Sequence, residues 1–70
     1  MKPKLFDVIA ILDDIPDHGL LKGQVGTLVE QLSEDTFEVE FSDNTGKTYA
    51  ILPLATNHFI VLHYNASMSA

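Results

Sequence analysis

Apolar and charged residues alternate most strictly in TFEVEFS, Thr36 to Ser42, where Phe37, Val39 and Phe41 fall on one side of an extended chain and Glu38 and Glu40 on the other. That period predicts an antiparallel strand with one face in a core and one in solvent. Leu5 to Leu12 (LFDVIAIL) is more continuously apolar, and its β-branched residues predict a strand covered on both faces. A buried helical turn is the competing reading, and Asp14-Ile15-Pro16 ends the run too early for it. Val25 to Leu32 (VGTLVEQL) predicts a further strand, joined to Thr36–Ser42 as a hairpin through the turn Ser33-Glu34-Asp35.

A second hairpin follows in series. Asp43-Asn44-Thr45-Gly46 is a turn in which Asn44 and Gly46 take positive φ most easily, and it leads into KTYAIL, Lys47 to Leu52. Pro53 has no N–H to give a ladder, so that strand stops there or lies at an edge. Pro53 to Asn57 has room for one helical turn, and FIVLH, Phe59 to His63, is a last short strand. This order predicts an all-β fold: a small five-stranded SH3-like barrel, with a long loop between strands 1 and 2 and a single helical turn before the last strand. A five-stranded barrel of the oligonucleotide-binding type is the alternative, but it usually carries a longer helix, for which no helical period exists. One domain over residues 1–64 is expected, with residues 65–70 as a disordered tail.

Seventy residues bury only about 60% of the surface of the unfolded chain, and without cysteine there is neither a disulfide nor a thiolate to reinforce a small core. Stability must come from packing or from self-association. Ten carboxylates stand against four lysines and no arginine, a net charge of −6, which opposes a polyanionic ligand because nucleic-acid affinity rests on cations that neutralise phosphates. The N-terminal apolar run is interrupted by Asp7 and closed by Asp13 and Asp14, unlike a signal peptide, and no run approaches the roughly 20 residues of a membrane span. The cytoplasm is the expected compartment.

Candidate chemistry gathers in DDIPDHGLLKGQVGT, Asp13 to Thr27. Asp13, Asp14, Asp17 and His18 resemble a set of ligands for a hard cation, but Ile15-Pro16 interrupts them and no EF-hand spacing is present, so turn chemistry explains them better. Pro16 presets a turn, Asp17 and Gly19 complete it, and His18 is left at the exposed tip. Lys22-Gly23-Gln24-Val25-Gly26-Thr27 lacks phosphate-loop spacing; Gly23 suits a positive-φ corner, and Gly26 a bulge or a close approach by another backbone. His18, His58 and His63 have no paired spacing, and the serines lie in turns or the tail. A barrel this small is not expected to enclose a pocket of ~300 Å³ or more. No enzymatic activity, metal or cofactor is expected.

What remains is surface. Glu30, Glu38 and Glu40 on the strands could merge with Asp13, Asp14 and Asp17 of the first loop into one acidic patch that docks a basic protein, with the exposed tip around Asp14, Asp17 and His18 as the part a partner grips. The expected function is a small acidic protein-binding module, an accessory subunit or an inhibitor or antidote of a neighbouring gene product. Nucleic-acid binding by the barrel is the alternative, disfavoured by charge, and self-association is open to a chain with an exposed edge.

LFDVIAILDDIPDHGLLKGQVGTLVE, followed by FEVEFSDNTGKTYAILPL, resembles a family of short bacterial proteins, common in cyanobacteria, catalogued as the domain of unknown function four-nine-two-six. The likeness runs from Leu5 to about Leu62 through an L-x-D-V-x-A strand, a D-x-P-x-x-G-L loop, a G-x-x-G-T turn, an E-V-E-F strand and a G-x-T-x-A hairpin. It implies an SH3-like barrel and assigns no catalytic or binding role to any residue. Gly23 to Val29 is also similar to the first hairpin of ribosomal and transcription-factor barrels that bind RNA, whose basic residues are absent here.

Overall fold

The computed structural model describes residues 2–63. It is all-β: β1 (Val8–Ile11), β2 (Val25–Ser33), β3 (Thr36–Ser42), β4 (Thr48–Ala55) and β5 (Phe59–Val61), with 3-10 turns at Pro16–His18 and Thr56–His58. The strands form one antiparallel sheet in the order β4-β3-β2-β1-β5, so β1 lies between β2 and β5 as the SH3-like reading requires. The tail assigned to residues 65–70 lies outside the described residues.

Alternation builds the core. Ile9 and Ile11, Leu28, Phe37, Val39 and Phe41, Leu52 and Phe59 all turn inward and are buried, and Leu20 joins them from the long loop. No ladder joins β4 to β5 among the described residues. The sheet curls instead: Phe37 of β3 and Phe59 of β5, two strands apart from being neighbours, meet edge to face with ring centroids 6.5 Å apart.

Several boundaries differ from the hydrophobic pattern, two of them for a clear local reason. The first strand begins at Val8, not Leu5, and is not covered on both faces: Ile9 and Ile11 are buried, Val8 and Ala10 half-buried, Leu5 and Leu12 exposed. Asp7 is responsible. Its N–H donates to the Lys4 carbonyl (3.1 Å), its carboxylate accepts the Lys4 N–H (3.0 Å), and its Oδ1 stands 3.6 Å from Lys4 Nζ. This closes a turn with Phe6 at its third position, where φ is +73° and the residue is 73% exposed. Such a position suits Gly or Asn, and a larger residue there costs about 1–2 kcal/mol.

The fourth strand runs through Pro53 to Ala55, and the helical turn moves to Thr56–His58. Pro53 is tolerated because β4 is an edge. Thr56 N–H donates to Asp35 O (2.9 Å), so by alternation Leu54 and Leu52 also face β3, and Pro53 turns its missing donor to the open side. The β2–β3 connection tightens to Glu34-Asp35, with Ser33 paired to Thr36, and β5 ends at Val61 rather than His63.

In the β3–β4 turn Gly46 takes positive φ (+86°) and Asn44 does not. Asp43 organises it, Oδ1 accepting the Thr45 hydroxyl (2.7 Å) and the N–H groups of Thr45 (2.8 Å) and Lys47 (3.0 Å). The Thr45 hydroxyl first, then these N–H groups, hold its carboxyl below its ordinary 3.8. A depressed folded value means the turn's share of stability is full above about pH 4 and is lost as pH falls through the lower folded value. An acid titration followed by NMR should show the Thr45 and Lys47 amide shifts moving together with a midpoint below 3.8, and Asp43→Asn should abolish that transition.

Candidate functional site

The long loop is pinned by its backbone. Ile15 and Leu20 exchange hydrogen bonds (Ile15 N to Leu20 O 2.8 Å, Leu20 N to Ile15 O 3.1 Å), and the buried Leu20 side chain anchors the base. Between them Pro16 opens the 3-10 turn, and Gly19, at φ +68°, closes it by donating to Pro16 O (3.0 Å). Lys22 N–H donates to Asp14 Oδ1 (2.7 Å), and Gly23, at φ +91°, donates to Ile11 O (2.8 Å). Asp17 and His18 therefore stand exposed on a fixed tip, as the turn chemistry predicts.

Across from this loop lies the edge of the sheet. Asp13, Asp14, Asp17 and His18 form one bank of a surface groove of about 390 Å³. Leu52, Pro53 and Leu54 of β4, with Ile15 and His58, form the floor and the far bank. His58 Nδ1 is 4.0 Å from Asp13 Oδ2, and its carbonyl accepts Leu12 N–H (3.0 Å), tying the second 3-10 turn to the start of the loop. The groove is larger than chain length suggests because it opens to solvent between loop and sheet edge instead of lying inside the barrel.

The carboxylates are not equivalent. Asp14 spends one oxygen on Lys22 N–H and Asp13 faces His58, whereas Asp17 makes no side-chain hydrogen bond or ion pair among the described residues. Among the described residues no lysine lines the groove. Three carboxylates beside an apolar floor thus leave a negative potential unmatched by any cation other than a protonated imidazole.

The expected merger with Glu30, Glu38 and Glu40 does not occur in this groove, whose lining includes none of them. Glu30 and Glu38 are direct cross-strand partners beside the register shift in β2, and Glu40 lies between Thr27 and Ile51 and accepts the Thr48 hydroxyl. Like charges directly opposed weaken a sheet. The acids therefore form two sets: one in the loop, the other on the outward strand positions of β2 and β3. Sequence reasoning missed Leu52, Leu54 and His58 as site residues, because only the topology carries them to the loop.

Among the described residues no group of three or more His, Asp or Glu side chains could hold a metal ion, and no helix is long and apolar enough to cross a membrane.

No curated protein matches the chain, and no solved structure does. The family described as Domain of unknown function (DUF4926) matches residues 5–61, which run from the turn before β1 to the end of β5 and so take in the loop and both banks of the groove. The chain belongs to this family.

Proposed function

We propose that this protein is a cytoplasmic docking module for a basic segment of another protein, acting as an accessory subunit or as an inhibitor or antidote, without chemistry of its own. The observation that carries this reading is the groove: a rigid acidic bank facing the apolar Leu52, Pro53 and Leu54, with Asp17 unengaged. A lysine or arginine would set its charged head against Asp17 and Asp14 and lay its aliphatic stem on the floor.

The partner should be captured from native lysate by the wild type, released by salt, and captured at least about tenfold less by Asp17→Lys, since charges meeting at an interface steer association and are screened by ions. A parallel bait carrying Glu38→Lys and Glu40→Lys tests the strand set of acids. Capture that ignores Asp17→Lys and follows the strand variant would move the docking surface to β3, and capture that ignores both would end the electrostatic reading.

A further inference from the structure

Phe6 is doubly unfavourable where it stands. Its backbone is in the left-handed region at φ +73°, and the residue is 73% exposed. Asn or Gly would serve the turn better, so neither turn geometry nor core packing accounts for an aromatic there. Leu5 beside it is exposed too, and Lys2 and Lys4, two of the chain's four lysines, precede the pair. The chain thus carries on its own surface a segment, Lys2 to Phe6, of the chemistry the groove lacks: cations next to exposed apolar side chains.

We propose that the groove takes the Lys2–Phe6 turn of a second copy of this chain, with Phe6 against Leu52, Pro53 and Leu54 and a lysine against Asp17. The proposal rests on the groove being a docking site. Lys4 is already paired with Asp7, and Lys2 lies in a depression with Glu34 and Asp35, but the Lys4 side chain is 78% exposed and exposed ion pairs exchange at little cost. The contact is between copies and not within one: Phe6 precedes β1 and the acidic bank follows it, and a strand of four residues holds the two roughly 13 Å apart. Plug and socket are different surfaces, so the copies pair reciprocally about a two-fold axis or add head to tail.

Light scattering and sedimentation across a concentration series test it, with Phe6→Gly as the lost plug and Asp17→Lys as the lost socket. The wild type should gain mass with concentration, and each variant should need at least about ten times more protein to do so. Mixing the two variants should restore association, because one retains the socket and the other the plug. Phe6→Gly should also melt no lower than the wild type, since glycine relieves the positive φ, and this separates loss of the contact from loss of the fold. A wild type that stays monomeric to millimolar concentration, or association that persists in Phe6→Gly, overturns the proposal while leaving capture of a basic protein standing. Association that is lost in Phe6→Gly but indifferent to Asp17→Lys also overturns it, by placing the socket elsewhere, and if partner capture is equally indifferent the docking reading of the groove falls with it.

Discussion

Phe37→Ala strips the chain of a large part of its folding stability. Phe37 is buried on β3 and meets Phe59 of β5 across the curl of the sheet, where no backbone ladder links the two strands. Truncating a buried phenylalanine costs about 3–5 kcal/mol, and a domain of this length has roughly 4–10 kcal/mol in all. Urea titration followed by circular dichroism should show the variant's midpoint far below that of the wild type, with a shortened native baseline. In any folded remainder the amides of Phe59–Val61 should lose exchange protection first, because β5 is held on its inner side by this contact and on its edge by β1 alone. The same truncation at exposed Phe6 should shift stability by no more than about 0.5 kcal/mol.

A single added methyl at Gly26 should also destabilise the chain. A Cβ there would stand 2.8 Å from Val39 Cγ1, 2.9 Å from Phe41 Cε2 and 3.0 Å from the Glu40 carbonyl oxygen, and the last of these is backbone and cannot turn aside. Gly26→Ala should cost about 1–3 kcal/mol, seen as a melting temperature lower by roughly 4–8 °C for each kcal/mol. The mechanism is checked by a double-mutant cycle: the substitution should cost less in a Val39→Ala background, since one of the three clashes is gone. Gly23→Ala is the contrast, with nothing within 4 Å and only a positive φ to oppose it. Its cost, about 1–2 kcal/mol for a side chain at positive φ, should not change in the Val39→Ala background, and a Gly26→Ala cost equally indifferent to that background would refute the steric account.

Legibility in the sequence followed the range of the interaction. Phe37, Val39 and Phe41 were readable because burial and strand period coincide over seven residues of β3. The close approach at Gly26 was readable because a glycine inside an alternating run needs a reason. Leu5 and Phe6 misled because their hydrophobicity matches a strand while the Asp7 carboxylate, a short-range effect, closes a turn. Pro53 left two outcomes open, and only the strand order, with β4 outermost, chooses between them. In the site, Asp14, Asp17 and His18 could be placed on a loop tip from turn chemistry alone. Leu52, Leu54 and His58 could not be placed opposite them, because no local pattern reports which part of a sheet a distant loop overhangs.

The bonds that fix the long loop join backbone groups of Ile15 to Leu20, Gly19 to Pro16 and Gly23 to Ile11, with Asp14 and Gln24 the side chains recruited. Asp17 contributes none, and His18 only its backbone N–H, which donates to Ile15 O (3.0 Å) whatever side chain the position carries. Fold and tip are therefore separable under mutation: the side chains at these two positions can vary while every hydrogen bond that fixes the loop stays in place, so sequence change there need not pass through an unfolded intermediate.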